Sequence, residues 1–324
     1  MKLAIIGTGK IVHSALKALA DVPQIEVNAI YARPQSRDKG EAIAREHHIP
    51  QVYTDYASLL SHAGADFVYI GNINLVHYDY ARQALEAGKH VILEKPMCVN
   101  AAQTRRLAQL AKEKGLYLFE ALTFLHAPFF KHLAGALPKL GPVRLVLCNY
   151  SKYSTRYDKY LQGIVEPVFD PARAGGTLLD LNIYNLNFAL YLFGRPLGVS
   201  YVANRGFNGV DISGIVTLRY DGFVAQCAAA KDSFSPGSIS IQGEKGWMRI
   251  EGTPDDFQSL QIHTPEGQET LSLVQDEHRM VDEFRAFETI YRKGDYAAMT
   301  HYLDHSVLVA EVAEAALADA GIHY

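Results

Sequence analysis

Cysteine is scarce in this chain. Its 324 residues include three, Cys98, Cys148 and Cys227, which lie far apart, form no C-x-x-C pair and are odd in number. That pattern excludes a disulfide framework and suits a reducing compartment, so a cytoplasmic protein is expected. Long apolar runs are missing as well. No stretch of 18 or more apolar residues exists, so no membrane-spanning helix and no membrane partner are expected. The opening Met1-Lys2-Leu3-Ala4-Ile5-Ile6-Gly7 has a charged start, but its apolar segment is too short for a secretory signal. A net basic charge is absent. The formal charge of −4 argues against a nucleic-acid partner, which would call for a basic domain. No internal repeat and no low-complexity segment interrupts the chain. The hydrophobic fraction of 48% and charged fraction of 20% are those of an ordinary globular protein, and the length suffices for two domains and a sizeable core.

What is present centres on residues 88–96, Gly-Lys-His-Val-Ile-Leu-Glu-Lys-Pro. His90-Val91-Ile92-Leu93 is a short apolar run bounded by Gly88 and Pro96, the pattern of a buried strand. Glu94 and Lys95 then fall at its carboxyl end, where open parallel sheets bind their ligands. Upstream, Leu3–Ile6 is a strand leading into Gly7-Thr8-Gly9-Lys10-Ile11-Val12 and a helical pattern at Ile11, Ala15, Leu16 and Leu19. Gly7 permits the tight turn and Gly9 a close approach of a pyrophosphate to the helix N-terminus. The third glycine of G-x-G-x-x-G is replaced by Val12, a position that mainly governs helix–strand packing. The second strand, Glu26–Tyr31, ends in Ala32-Arg33-Pro34-Gln35-Ser36-Arg37. No acid stands there to hold a ribose 2′-hydroxyl. Arg33 and Arg37 instead suit a 2′-phosphate, which a guanidinium pairs bidentately, so NADP(H) is favoured over NAD(H).

Further βα units follow. Strands at 65–70, 90–93 and 116–119 alternate with helices at 36–47, up to 87 and over 101–114, which predicts a parallel sheet. Beyond residue 122 a linking helix covers 126–136, a strand runs over 143–150, and a polar loop carries Tyr150, Tyr153, Tyr157 and Tyr160. Short strands with turn signals then succeed one another from 198 to about 273 with no helix between them, so this sheet should be largely antiparallel. Two helices, about 277–293 and 299–320, close the chain. The expected fold class is therefore α/β: a Rossmann-type parallel sheet in residues 1–122, then an α+β domain in residues 123–324 with a large, mainly antiparallel sheet. The C-terminal helix could pack back on the first domain. His301 and His305 are spaced to share a helix face, but no third ligand is evident and no metal is expected; they are read as helix surface.

The segments G7-T-G9-K-I, N74-L-V-H77, A84-L-E-A-G-K-H-V-I-L-E94-K95-P96 and G175-G176-T-L-L-D180-L-N-I-Y184 resemble the Gfo/Idh/MocA oxidoreductase family. The likeness spans most of residues 1–190, and its A-L-E-A-G-K-H-V-x-x-E-K-P run is the specific part. The resemblance implies a cofactor site of Gly7, Thr8, Gly9, Lys10, Ile11, Arg33, Arg37, Asn72, Asn74, His77, Glu94 and Lys95. It also implies a homodimer or homotetramer. Three departures stand out. The family's D-x-x-x-H histidine is Tyr184 here, which is nearest the glucose–fructose oxidoreductase and dimeric dihydrodiol dehydrogenase branch. Asn182 occupies a family glycine, and Asn72-Ile73-Asn74 lacks the proline of the usual T-P-N turn.

Asp180 and Tyr184, four apart, fall on one helical face behind Gly175-Gly176. Oxidation or reduction at a carbinol carbon needs a hydride partner, a proton moving on the same oxygen, and stabilisation of developing alkoxide charge. A free tyrosine, pKa near ~10, is a poor base until a nearby ammonium favours its phenolate. Lys95, Tyr184 and Asp180 are therefore the catalytic candidates, with the roles of Lys95 and Tyr184 open to exchange and Asp180 either orienting Lys95 or binding a neighbouring hydroxyl. Tyr153 and Arg173, with Asp180 and Tyr184, are the candidates for substrate contact, and Tyr150, Lys152 and Arg156 belong to the same polar stretch. A small molecule bearing a hydroxyl or carbonyl fits: a sugar, polyol, dihydrodiol or vicinal dicarbonyl. Competing readings are an NAD-dependent inositol or sugar dehydrogenase and a non-catalytic dinucleotide-binding regulator. Ping-pong transfer on retained NADP goes with extra N-terminal sequence, so an exchangeable cofactor is expected. Cys98 is expected to serve packing.

Overall fold

The computed structural model describes residues 1–274 and 277–323. The chain forms two compact units, Met1–His126 with Gln275–Val307, and Ala127–Val274 with Leu308–Tyr324. The sequence reading kept residues 123–324 together; the structure places 123–126 and the segment after 274, up to Val307, in the first unit.

The first unit holds six parallel strands: β1 (Lys2–Ile6), β2 (Glu26–Tyr31), β3 (Gln51–Tyr53), β4 (Phe67–Ile70), β5 (His90–Glu94) and β6 (Leu118–Ala121). Their order is β3-β2-β1-β4-β5-β6. Leu3–Ile6, Phe67–Ile70 and Val91–Leu93 are buried throughout, as strands covered on both faces must be. This is the doubly wound order in which a crevice opens at the carboxyl ends of the two strands that start the halves, here β1 and β4. The helix Ala101–Lys114 shows why its boundaries are legible: Asn100 accepts from Gln103 N at its start, and Gly115 at φ +65° ends it. The helix Val281–Arg292 belongs to this unit because Phe284 and Phe287 are buried in its core, Phe287 stacking on Phe119 at 4.5 Å.

β4 and β6 each start two residues later than expected, and β3 and the helix Tyr56–His62 are additional. β3 is three half-buried residues, too short for any periodicity to declare it.

The second unit is built on an eight-stranded sheet, β7 (Val143–Ser151), β8 (Gly198–Arg205), β9 (Asp211–Arg219), β10 (Val224–Ala230), β11 (Ser238–Gly243), β12 (Gly246–Thr253), β13 (Asp256–Thr264) and β14 (Gly267–Ser272). The order is β14-β13-β12-β11-β7-β10-β9-β8. All neighbours are antiparallel except β7 and β10, which run parallel. Alternation of buried and open residues along β9 and β13 marks one covered and one open face. The helix Ile183–Phe193 covers the sheet with Leu186, Phe188 and Leu190 buried. Among the described residues no helix is long and apolar enough to cross a membrane.

Candidate active site

A cleft of about 470 Å³ opens at the carboxyl ends of β1, β2 and β4. Gly7, Thr8, Gly9 and Ile11 line it after β1, Tyr31, Ala32, Arg33, Ser36 and Lys39 after β2, and Gly71, Asn72, Ile73, Val76 and Tyr80 after β4. Gly7 has φ +116°, and a Cβ there would lie 2.6 Å from Asn72 Oδ1, so the turn admits no side chain. The helix Lys10–Leu19 has no side chain capping its N-terminus and no acid in its first turn. Its first N–H groups and positive dipole end therefore suit a phosphate. Arg33, Ser36 and Lys39 add two cations and a hydroxyl on the β2 side, with no carboxylate lining the cleft among the described residues. This chemistry fits a dinucleotide with an added phosphate on its ribose.

At the ends of β5 and β6 the structure buries carboxyl groups. Glu94 accepts from Tyr69 Oη at 2.7 Å and from Lys95 N at 3.3 Å. Burial raises its carboxyl above the ordinary range, against the pull of the Tyr69 hydrogen bond and the Lys95 charge. Glu120 accepts from Met97 N at 2.7 Å, and burial pushes it up to about 7. The Lys95–Pro96 peptide bond is cis. His77 is fully buried, with Nδ1 3.0 Å from Pro96 O and Nε2 3.1 Å from Asn72 O. Burial lowers its pKa against the pull of the main-chain hydrogen bonds, and the ring ties together the loops after β4 and β5.

In the second unit Gly175-Gly176 leads into one turn of π-helix, Leu178–Asn182, that continues as Ile183–Phe193. A Cβ on Gly175 would lie 2.6 Å from Pro167 O and 2.8 Å from Asp170 N, so only glycine lets these two strands of backbone meet. The turn is anchored from the sheet. Leu178 N donates to Asp211 Oδ2 at 2.6 Å, Asn182 Nδ2 to Cys227 O at 2.8 Å, and Asn185 Nδ2 to Ala228 O at 2.9 Å. Lys231 Nζ reaches Asp180 Oδ2 at 2.9 Å. Tyr184 is buried with its ring edge-to-face on Tyr150, centroids 5.6 Å apart. Tyr150 is itself raised by burial and by the charge of Asp255, to which it donates. Burial works against the ionised Asp255, yet hydrogen bonds from Thr253, Lys152 and Tyr150 keep its carboxyl below the ordinary value.

Comparison with known proteins agrees with these features. Residues 1–122 match the oxidoreductase family with an NAD-binding Rossmann fold, and residues 138–249 match the GFO/IDH/MocA C-terminal domain. The whole chain is 31% identical over 325 aligned residues to scyllo-inositol 2-dehydrogenase (NADP(+)) IolU of Bacillus subtilis, covering 98% of that protein. The chain belongs to the Gfo/Idh/MocA oxidoreductase family. Another relative is the trans-1,2-dihydrobenzene-1,2-diol dehydrogenase of Sus scrofa, 34% identical over 77% of this chain and 74% of that one. Among solved structures, the 3-ketoreductase KijD10 of Actinomadura kijaniata, in complex with TDP-benzene and NADP in an open conformation, superposes with a TM-score of 0.82. It is 25% identical and covers 98% of this chain and 96% of its own. Membership makes this protein an NAD(P)-dependent oxidoreductase.

Of the family cofactor positions, Gly7, Thr8, Gly9, Ile11, Arg33 and Asn72 line the cleft. Lys10, Arg37, Asn74, His77, Glu94 and Lys95 are not among its lining residues. Arg37 turns to Glu41 at 2.8 Å on the exposed side of its own helix, and Glu94 and His77 are spent on main-chain and tyrosine contacts. Ser36 and Lys39 were not singled out from the sequence, although their i, i+3 spacing after Arg33 carries the signal. The substrate candidates separate. Tyr153 donates to Asp158 at 2.6 Å and stacks on the exposed Phe234, while Arg173 pairs with Asp170 at 3.3 Å. Lys152 and Arg156 are likewise paired, with Asp255 and Glu166. His305, expected on a helix surface, is buried, and burial lowers it to about 3. The metal-ligand side chains that do cluster among the described residues, His13, Glu46 and His47, lie at the surface, outside the dinucleotide cleft. Cys98 is buried, its thiol pushed up to about 12 by burial.

Proposed function

We propose that this protein is an NADP(H)-dependent oxidoreductase acting on the secondary carbinol of a cyclic polyol, sugar or dihydrodiol, or on the corresponding ketone. The observation that carries the cofactor choice is the lining after β2, where Arg33, Ser36 and Lys39 stand without a carboxylate among the described residues. The NADP(+) in the name of the Bacillus subtilis relative, which aligns over the whole chain, supports it, and so does its polyol substrate. When bound, the nicotinamide supplies the hydride acceptor or donor at C4. The chain's residues handle the oxygen. In ketone reduction Tyr184 gives its phenolic proton to the oxygen as the carbon gains hydride, and Lys95 stabilises the negative charge that develops on it. Asp180 accepts a hydrogen bond from a neighbouring hydroxyl. In oxidation the same protons run backwards.

The test is a fluorescence titration of NADPH and NADH against the native protein, Arg33→Ala and Lys39→Ala. NADPH preference that collapses in both variants supports the reading. Equal NADH affinity in the native protein would move an NAD-dependent inositol dehydrogenase to the front. Lys95→Ala and Tyr184→Phe should each lower turnover by about 10²–10⁴-fold while NADPH still binds. Full turnover in either one would remove that residue from the chemistry.

We also read the protein as a cytoplasmic homodimer or homotetramer. Three free, buried thiols support a reducing compartment. Leu147, Val202 and Ile215 stand exposed on the open face of the eight-stranded sheet, and that face supports self-association. Light scattering after size exclusion decides the subunit number.

A further inference from the structure

Lys231 follows β10 directly and is 2% exposed. A lysine so buried must have its charge met. Its Nζ lies 3.0 Å from Val168 O, 3.0 Å from Gly176 O and 2.9 Å from Asp180 Oδ2, three acceptors for the three protons of an ammonium. The Phe169 ring closes the remaining side, its centroid 5.3 Å from Nζ. The main chain is fixed as well: Lys231 N donates to Ile212 O at 2.9 Å, and Ser154 N donates to Lys231 O at 2.8 Å. One side chain therefore joins the 167–169 turn, the Gly175-Gly176 approach and the first turn of the catalytic helix. The Asp180 side chain, by contrast, is 39% exposed. A carboxylate that open would ordinarily sample several rotamers. This one is held by a cation from beneath.

We infer that Lys231 is a positioning residue of the active site, which fixes Asp180 by a buried ion pair and offsets its charge so that the carboxylate reads a neutral substrate hydroxyl. The inference rests on the reading that Asp180 works at the reacting substrate. The Lys231–Asp180 pair is net neutral, so it offers a fixed acceptor without a field favouring cationic ligands. The Lys231 ammonium reaches Val168 O, Gly176 O and Asp180 Oδ2, so its effect on catalysis passes through Asp180 and the turn.

The experiment is a double-mutant cycle on the full chain with Lys231→Gln and Asp180→Asn. Glutamine keeps a donor for Val168 O or Gly176 O and removes the charge. The substrate is whichever of scyllo-inositol, an aldose or a trans-dihydrodiol the native protein oxidises fastest with NADP+. Asp180→Asn and Lys231→Gln are each expected to lower kcat/KM by about tenfold or more, with NADPH affinity unchanged, and the double variant should be no slower than Asp180→Asn within about threefold. A double variant slower by the product of the two single effects would show that Lys231 acts independently of Asp180 and overturn the inference. So would a Lys231→Gln enzyme with native kinetics beside an impaired Asp180→Asn. Native kinetics in Asp180→Asn, or no turnover of any of the three substrates by the native protein, would instead remove the reading beneath it. A second measurement does not need a folded Lys231 single variant. Asp180→Asn strands the Lys231 cation and should lower the melting temperature, and Lys231→Gln in the Asp180→Asn background, which keeps a donor for Val168 O or Gly176 O, should restore it. Further loss in that double variant would overturn the pairing.

Discussion

Gly7 shows how much one residue decides. Its φ of +116° and the 2.6 Å from a would-be Cβ to Asn72 Oδ1 leave no room for alanine. Gly7→Ala should therefore lose NADPH affinity by at least about tenfold while the fold survives, since the strain of an L-residue in this region is about 1–3 kcal/mol. Isothermal titration against circular dichroism separates the two effects. Glu283 is the opposite case. It is fully buried, and neither carboxyl oxygen has a hydrogen-bond partner among the described residues. Burial and the neighbouring Glu94 raise its pKa well above the ordinary value. The folded state then holds a proton that the unfolded chain gives up, so stability falls as pH rises above about 4.5. Glu283→Met should stabilise the protein at pH 8 by about 1–3 kcal/mol, measured by urea unfolding, and the gain should shrink at pH 4. A loss at both pH values would give the carboxyl a structural partner of its own. His305 titrates in the opposite sense. Held near 3 by burial, it is neutral in the fold, so the stability it contributes is present above pH 6.5 and is lost as pH falls toward 3. His305→Leu should flatten that acid loss by at most about 1.4 kcal/mol per pH unit. An unchanged acid limb would assign the loss to other groups.

At the scale of elements, the helix entering the catalytic segment depends on side chains that no helix propensity predicts. Asn182, standing where the family has glycine, is fully buried and donates to Cys227 O while accepting from Asn185 Nδ2 at 2.9 Å. The departure from the family pattern is thus compensated by a polar lock onto β10. Asn182→Ala leaves Cys227 O and the Asn185 amide short of a partner. We expect a loss of about 1–3 kcal/mol in unfolding free energy, read by denaturant titration. Asn182→Gly, the family residue, should cost no less, because it removes the same hydrogen bonds and adds backbone freedom. If glycine proves neutral, the lock contributes nothing to stability.

At the scale of the molecule, the two units carry separate sheets of opposite character. The all-parallel one presents a ligand crevice at its strand ends, and the largely antiparallel one presents an open face. A cofactor bound at the β1/β4 crevice stabilises the first unit by mass action. At a hundredfold excess over its Kd, NADPH should add about 2.7 kcal/mol, a clear rise in the first melting transition. NADH at the same concentration should raise it less. Equal shifts would mean that Arg33, Ser36 and Lys39 do not read the 2′-phosphate.

The sequence by itself determined whatever depends on neighbours a few residues away. Strand β2 at Glu26–Tyr31 and the helix Ala101–Lys114 were legible to the residue, because apolar runs, an Asn cap and a terminal glycine act locally. The Gly7 turn, the Arg33 signal and the Gly175–Tyr184 segment were legible as motifs for the same reason. Only the tertiary structure decided that Arg37 turns away to Glu41 while Ser36 and Lys39 face the cleft, since one helix turn offers both sides to the same local pattern. Only it placed the segment after 274 in the first unit, where Phe284 and Phe287 find a core that amphipathic spacing alone cannot name. Lys231 gave no signal at all. Its partners lie 63 and 55 residues away along the chain, and a buried ion pair exists only when the fold removes both charges from water together.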